Sequence, residues 1–185
     1  MIFVGIDPGL QGYMALFKDN SEWPSIKKLS QGLDFYFDMV NLHSVSDGLI
    51  ICIEKQISMG HDAHNSLRTG AYNYGRIIMG LDLLVHEFDN IKYSEVHPAS
   101  WKSYYKIKGK DKTASKKSSC DIVKLLFGKA GKELITGKRG AENDNIAEAI
   151  LIAEYGRQTY NRKLYTGEIK TIRRKPIRAK QLILF

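Results

Sequence analysis

The stretch MIFVGIDPGLQGYMALFKD, residues 1–19, indicates the fold class of this protein. Its first seven residues form a nearly continuous apolar run, which is typical of a strand buried on both faces of a sheet. The segment PGLQG breaks that run, and YMALFKD, residues 13–19, has the composition of a second strand. These residues therefore predict an antiparallel hairpin at the start of a sheet.

Strands and helices alternate through the rest of the chain. A short strand is expected around Ile26–Leu29, and LIICIE, Leu49–Glu54, predicts another buried strand after an intervening helix. A long helix is expected from about Ser66 to Phe88, a further strand in IKYSEVHP, residues 91–98, and a late helix over Asp144–Gly156. This order predicts an α/β fold whose mixed sheet begins with an antiparallel hairpin, continues with parallel strands and is flanked by helices.

The composition changes near the end of the last predicted helix. Aliphatic runs become scarce after Gly156, and arginine and lysine become frequent. We therefore predict one globular domain over residues 1–157 and a basic extension over residues 158–185, with Arg157–Lys180 weakly structured.

Net charge favours a polyanionic partner. The 185 residues carry a formal net charge of +8 and a pI near 9.4, which is typical of proteins that bind nucleic acid. Cys52 and Cys120 have no ligand-like spacing and are expected to be reduced, buried packing residues. The sequence has neither the pattern of a signal peptide nor a run of about eighteen apolar residues, so we expect a soluble cytoplasmic protein.

Acidic residues end two of the predicted buried strands. Asp7 follows the first apolar run and Glu54 ends LIICIE, so neighbouring strands would bring these carboxylates side by side at one edge of the sheet. An isolated buried charge is too costly unless it is neutralised, hydrogen-bonded or bound to a metal ion. On the last helix, Asp144 and Glu148 share a face at i and i+4, where like charges repel by roughly 0.2–0.5 kcal/mol. Small residues such as Ala147 would let this helix lie close to the sheet.

Four carboxylates in one small volume call for divalent cations between them. Oxygen ligands without histidine or cysteine favour Mg²⁺ or Mn²⁺ over Zn²⁺. Structural alternatives exist for three of the acids: Asp7 as a turn residue, Glu54 paired with Lys55, and Asp144 as a helix N-cap. Glu148 resists such an explanation because apolar or small residues surround it on the helix, namely Ile146, Ala149, Ile150 and Ala153.

Five separated motifs together resemble the RuvC-like Holliday junction resolvases, and the phage-type members most closely. The combination is specific because P-x-x-W-K followed by D-K, and A-E-A before Y-G, occur in the family's order within roughly residues 1–157. The five motifs are GIDPGLQGYMALF (5–17), IEKQ (53–56), RTGAYNYGRIIMG (68–80), VHPASWKSYYKIKGKDKTASK (96–116) and DNIAEAILIAEYGR (144–157).

The resemblance implies an RNase H-like fold and a structure-selective endonuclease that resolves Holliday junctions. It also implies a mechanism with two divalent metal ions in the active site, Mg²⁺ with Mn²⁺ as a substitute. By position, Asp7 and Glu54 resemble the strand carboxylates of the family, and Glu148 resembles the helical one.

The fourth acid of the family has two candidates in this chain. RuvC itself spaces its helical pair by three residues, which would place the partner of Glu148 at Asn145. Phage-type relatives often place the other acid four or five residues earlier, which Asp144 satisfies. The resemblance therefore favours Asp144 as the fourth ligand, with Glu142 as the alternative.

Basic residues dominate the segment that precedes the last helices. Between residues 102 and 117, seven lysines stand against one acid, Asp111, which favours a track for DNA phosphates over a solvated helix face. By resemblance, Lys102 and Lys112 lie near the scissile phosphate and are catalytic. Trp101 is expected either to stack on a base or to pack in the core. The predicted DNA-binding residues are Lys102, Lys106, Lys108, Lys110, Lys112, Lys116 and Lys117.

A four-way junction is two-fold symmetric, so a resolving enzyme is expected to act as a homodimer. The long helix carries Gly70, Gly75 and Gly80, each of which costs about 0.5–1 kcal/mol relative to alanine in a helix interior. Small residues at this spacing permit another backbone to approach closely, which makes this helix the candidate interface.

The peptide QLILF, residues 181–185, resembles the Q-L-x-L-F motif with which bacterial proteins bind the sliding clamp of DNA polymerase. Gln181 would form hydrogen bonds at the rim of the clamp's cleft, and Leu182, Leu184 and Phe185 would fill apolar pockets. A short strand or packing segment is the structural alternative. The motif also favours a bacterial or bacteriophage source.

The sequence thus predicts a Mg²⁺-dependent, junction-resolving endonuclease that is tethered to the replication clamp in the bacterial cytoplasm. One alternative is a broader endonuclease that cuts flaps, forks and other branched DNA. The other is a non-catalytic protein that binds junctions and the clamp as an adaptor.

Overall fold

A computed structural model describes residues 1–9, 11–19, 21–30, 32–56, 64–107, 111–137 and 140–166, with side chains for all of these except 64–68, 112 and 161–166. The elements alternate much as the sequence predicts. In chain order they are β1 (Ile2–Asp7), β2 (Tyr13–Lys18), β3 (Ser25–Lys28), α1 (Leu33–Ser44), β4 (Leu49–Glu54), α2 (His64–Glu87), β5 (Ile91–Val96), α3 (Pro98–Tyr104), α4 (Lys112–Ile135) and α5 (Asp144–Thr166).

The described strands form one sheet in the order β3-β2-β1-β4-β5. β1 pairs with β2 and β2 with β3 in antiparallel register, with Ile2 opposite Lys18 at the start of the hairpin. β1 pairs with β4 and β4 with β5 in parallel, with Ile6 opposite Ile53. The predicted mixed sheet, an antiparallel hairpin followed by parallel strands, is therefore confirmed.

Each face of the sheet has its own apolar core, because successive side chains of a strand point to opposite faces. On one face, residues such as Ile6 and Ile53 pack against α1 and α2, where Phe35 and Leu81 are fully buried. On the other face, Phe3 and its neighbours pack against the helices that follow β5. The buried members of this second core include Cys52, Trp101, Val123, Ala149 and Ile152.

Helix α5 lies directly on β1. A Cβ atom added to Gly5 would come within 2.2 Å of the Ala153 backbone nitrogen and 2.4 Å of the Ala149 carbonyl oxygen. One turn further along α5, a Cβ added to Gly156 would meet Cys52 Sγ at 2.5 Å. The expectation that small residues bring this helix close to the sheet is confirmed, and the closest approach is at glycine.

The structure corrects the predicted end of the last helix. α5 continues to Thr166 instead of stopping at Gly156, so residues 157–166 are helical and the prediction of weak structure there was wrong. Side-chain contacts explain the continuation: Arg157 Nε and Gln158 Nε2 donate to the two carboxylate oxygens of Glu154, at 2.8 and 2.7 Å. The rest of the predicted extension lies outside the described residues.

Two smaller expectations concern the cysteines and the membrane. Cys52 and Cys120 are both buried and neither forms a disulfide, as predicted. Within the described part of the chain, no helix combines the length and the apolar character needed to cross a membrane.

Candidate active site

Asp7 and Glu54 end two adjacent parallel strands. Their predecessors, Ile6 and Ile53, are register partners, so the two acids lie at the same level of the sheet. Because side chains alternate, Asp7 shares the face of Phe3 and Gly5, which is the face covered by α5. The sequence prediction that these acids emerge side by side is confirmed.

Helix α5 brings two further acids to this end of the sheet. Glu148 is buried and directly precedes Ala149, whose carbonyl oxygen lies against Gly5. Asp144 begins the helix, but it is not the cap: the Asn143 side chain accepts a hydrogen bond from the Ile146 backbone N–H at 3.2 Å. The N-cap explanation of Asp144 is therefore wrong, because Asn143 supplies the capping side chain.

The four acids interact electrostatically. Burial, and then the nearby charge of Glu148, raise the pKa of Asp7 to about 6, and Asp144 adds to this shift. Burial and the Glu148 charge likewise raise the pKa of Glu54 to about 7, with a contribution from Asp7. We refer to Asp7, Glu54, Asp144 and Glu148 as the acid cluster.

Glu54 is held by a tryptophan. Trp101 Nε1 donates to Glu54 Oε2 at 2.7 Å, and the Trp101 side chain is fully buried. Base stacking by this ring is therefore excluded, and the alternative of core packing is correct. The described contacts of Glu54 include no ion pair with Lys55, so that structural alternative is wrong as well.

Asp7 retains part of its turn role. Its Oδ1 accepts a hydrogen bond from the Gly9 backbone N–H at 3.3 Å, as a turn acid would. That contact uses one oxygen only, and it lowers the pKa of Asp7 less than burial and Glu148 raise it. The turn interpretation is correct but does not account for the placement of Asp7 beside the other acids.

Two lysines reach the helical acids from neighbouring elements. Lys102 Nζ on α3 lies 3.4 Å from Glu148 Oε1, and Lys116 on α4 forms an ion pair with Asp144. Metal ions were expected to offset the repulsion between Asp144 and Glu148, whereas in the structure each of these carboxylates has an ammonium partner. Hydrogen bonding to Asp144 raises the pKa of Lys116, so this lysine stays charged.

The other predicted residues either lie outside the acid cluster or are not described by the structure. Glu142 pairs with Lys124 at 2.9 Å, so the structure brings Asp144 rather than Glu142 to the acid cluster. Lys106 and Lys117 are exposed. Lys112 is the first residue of α4, but its side chain is not among those described, and Lys108, Lys110 and the peptide Gln181, Leu182, Leu184 and Phe185 lie outside the described residues.

The chemistry of the acid cluster suits a hard divalent cation. Its donors are carboxylate oxygens without histidine or cysteine, and burial and like-charge repulsion raise the pKa of two of them, which a bound cation would reverse. In the present arrangement, however, no three acid, histidine or cysteine side chains of the described residues form a ready-made metal site. Glu148 and Asp144 are instead directed to their lysines.

Sequence reasoning missed three functional contacts of this site. The hydrogen bond from Trp101 to Glu54 could have been anticipated, because α3 begins directly after β5 and β5 lies beside β4 in the sheet. The capping role of Asn143 could have been weighed against Asp144 from its position before the helix. The pairing of Lys116 with Asp144 had no signal, because the residues are 28 positions apart on different helices.

Comparison with known proteins gives structural relatives only. No protein-family model and no curated protein matches the sequence. Thermus thermophilus RuvC in complex with a Holliday junction superposes with a TM-score of 0.54 at 12% identity, over 88% of this chain and 96% of that one. The fowlpox virus resolvase in complex with Holliday junction DNA gives 0.51 at 16% identity, over 86% of this chain and 99% of the other. These likenesses show that the chain has the RNase H-like fold of these proteins, as predicted.

Proposed function

We propose that this protein is a metal-dependent endonuclease that resolves Holliday junctions. The observation that carries the proposal is the convergence of two strand acids, Asp7 and Glu54, with Glu148 of a helix that lies directly on their strands. RuvC and the fowlpox virus resolvase, which share this fold, are both known in complex with Holliday junction DNA, and this supports a junction as the substrate.

The acid cluster would hold two divalent cations, Mg²⁺ or Mn²⁺. When bound, such ions polarise a phosphoryl oxygen and lower the pKa of water, which is the chemistry that phosphodiester hydrolysis needs. The protein's own part is to hold the carboxylates in place. Trp101 fixes Glu54 through its indole N–H, and the Gly5 contact fixes α5 against β1.

Lysines at the rim of the acid cluster would bind the DNA backbone. Lys102 and Lys116 lie beside the acids, and the predicted role of Lys112 near the scissile phosphate belongs to the same proposal. An ammonium near the reacting phosphate stabilises the negative charge that grows there during hydrolysis. The exposed Lys106 and Lys117 would extend this basic track along the DNA.

The test is a divalent-metal titration with a labelled four-way junction. We expect cleavage with Mg²⁺ or Mn²⁺, no cleavage in chelator, and junction binding without cleavage by Asp7→Asn. Equal cutting of linear duplex would contradict structure selectivity, and equal cutting of flaps and forks would favour the broader branched-DNA enzyme. Junction binding without cleavage at any metal concentration would favour the adaptor.

We further propose that QLILF, residues 181–185, binds a bacterial sliding clamp. Support comes from the sequence motif, in which Gln181 would be the hydrogen-bonding residue and Leu182, Leu184 and Phe185 the apolar anchors. A tethered nuclease gains effective concentration at replicating DNA. Deletion of residues 181–185 should abolish binding to purified clamp and leave junction cleavage unchanged, whereas unchanged clamp affinity would refute the proposal.

A homodimer formed through α2 completes the proposal. Tyr72, Met79 and Leu83 are 64, 61 and 52% exposed and share one side of the helix. A Cβ built at Gly75, on the same side, would have no neighbour within 4 Å among the described residues, so the fold itself does not require glycine there. Met79→Glu should shift the protein to a monomer in analytical ultracentrifugation, and a wild-type monomer at assay concentrations would contradict the proposal.

A further inference from the structure

Two lysines form ion pairs with the helical acids of the acid cluster and also act electrostatically on its strand acids. Lys102 pairs with Glu148 and also acts electrostatically on Glu54. Lys116 pairs with Asp144 and also acts electrostatically on Asp7. The two ammonium groups come from α3 and α4, which carry none of the four acids, and Lys116 also acts electrostatically on Glu148.

We propose that Lys116 and Lys102 are resident counter-ions of the acid cluster, which metal ions must displace from Asp144 and Glu148 in order to bind. The inference rests on the proposed metal site, but it adds a competition that the proposed function does not require. A carboxylate oxygen that accepts from an ammonium group has lost much of its attraction for a second cation, so the two states exclude each other.

Exposure indicates which lysine is displaced more easily. The side chains of Lys116 and Asp144 are 38 and 29% exposed, so the Lys116 ammonium can swing into solvent without losing a buried environment. Lys102 and Glu148 are 29 and 11% exposed, and Lys102 also lies 5.0 Å from the centre of the Trp101 ring. Lys116 is therefore the counter-ion expected to leave first.

Displacement links metal binding to DNA binding. Once released, the ammonium group of Lys116 remains at the rim of the acid cluster, where the proposed phosphate track passes. Because metal binding frees this ammonium group and a DNA phosphate can then bind it, each ligand increases the affinity of the protein for the other. In the absence of metal, the same lysines limit the repulsion among the four acids and keep the fold intact.

The test is Mn²⁺ binding to the full-length protein, measured by isothermal titration calorimetry without DNA. We expect Lys116→Gln to bind Mn²⁺ about three- to thirtyfold more tightly than wild type, because the competing cation is gone. Lys116→Arg keeps the charge and should stay near wild type. The matched control is Lys129→Gln, which removes a lysine from the Lys129–Glu133 pair of α4, beyond its kink at Gly128, and should leave Mn²⁺ affinity unchanged.

A second measurement is thermal unfolding in chelator and in Mn²⁺. Lys116→Gln should unfold at a lower temperature than wild type in chelator and should gain more than wild type on addition of Mn²⁺. If Lys116→Gln does not fold, the same Mn²⁺ affinities and unfolding temperatures are compared between wild type and Lys102→Gln, which frees Glu148.

The outcomes separate this inference from the proposed function. Wild-type binding of Mn²⁺ with equal or weaker binding by Lys116→Gln overturns the counter-ion role and leaves the nuclease proposal intact. No Mn²⁺ binding by wild type or by any lysine variant overturns both. Tighter binding by Lys116→Gln but not by Lys129→Gln supports the inference.

Discussion

The two faces of the sheet use alternate residues of the same strands, yet they end in different chemistry. On the face covered by α1 and α2, the fully buried Ile6 and Ile53 continue the apolar packing to the ends of β1 and β4. On the α5 face, the very next residues are Asp7 and Glu54, and burial together with the nearby charge of Glu148 raises their pKa values to about 6 and about 7. One face therefore stabilises the fold throughout, and the other gives up stability at its end, where it buries acids that repel one another.

The largest loss of stability is expected for a substitution at Gly5, where α5 leaves no room for a side chain. Gly5→Ala places a methyl group 2.2 Å from the Ala153 backbone nitrogen, so α5 must move away from β1. Overpacking against backbone should cost about 3 kcal/mol or more of unfolding free energy. The measurement is chemical denaturation in chelator.

The control for this prediction lies on the opposite face. Ile53→Val removes one methylene from the α1–α2 core and should cost only about 0.5–1.5 kcal/mol. Equal costs for the two substitutions would show that α5 does not depend on the glycine contact.

Catalysis should depend on the α5 face alone. Asp7→Asn removes a charged donor from the acid cluster while keeping its shape, so we expect junction cleavage to fall by about a hundredfold or more. The measurement is single-turnover cleavage of a four-way junction under conditions where binding is saturated. Ile53→Val, folded to the same extent, should retain its rate, and a comparable loss in that variant would refute the division between the two faces.

Trp101 should matter to both the core and the acid cluster. Trp101→Phe keeps an aromatic ring in the core but removes the N–H that holds Glu54 Oε2 at 2.7 Å. Loss of such a supporting hydrogen bond typically weakens metal affinity by about ten- to a hundredfold. Calorimetric Mn²⁺ titration measures this loss. An unchanged Mn²⁺ affinity would show that Trp101 packs in the core without supporting the metal site.

The smallest effect is a pH dependence of stability in the absence of metal. Both strand acids have folded-state pKa values above their ordinary ones, so their contribution to stability is complete below about pH 4 and is lost as the pH rises through about 6 and 7. Relative to Asp7→Asn/Glu54→Gln, the wild type in chelator should lose stability steadily between pH 5 and 8, which is measured as a falling Tm.

Added Mg²⁺ should reverse this loss, because a bound cation favours the charged carboxylates. Parallel pH profiles of Tm for the wild type and the double variant, each with chelator and with Mg²⁺, are the measurement. Profiles that superimpose in chelator would mean that the two acids are not strained by burial and repulsion.

The local sequence pattern was sufficient to predict the strands and to identify the acids at their ends as candidate site residues. An apolar run of six or seven residues bounded by turn residues is a strong signal, and an acid at its last position is anomalous enough to mark a site. The fold and the adjacency of Asp7 and Glu54 could therefore be predicted. The length of α5 was not predicted, because the loss of aliphatic residues after Gly156 was interpreted as the end of the helix, whereas Arg157 and Gln158 continue it and donate hydrogen bonds to Glu154.

By itself, the sequence determined the apolar runs that form β1 and β4 and the acid at the end of each run, Asp7 and Glu54. Only the tertiary structure decided the side-chain partners of the acids in the cluster: Trp101 contacts Glu54, Lys102 contacts Glu148 and Lys116 contacts Asp144. The physical reason is distance along the chain. An apolar run and the acid that ends it lie within one short segment and can be recognised there. An ion pair between helices depends on how closely α3, α4 and α5 pack, which no single segment encodes.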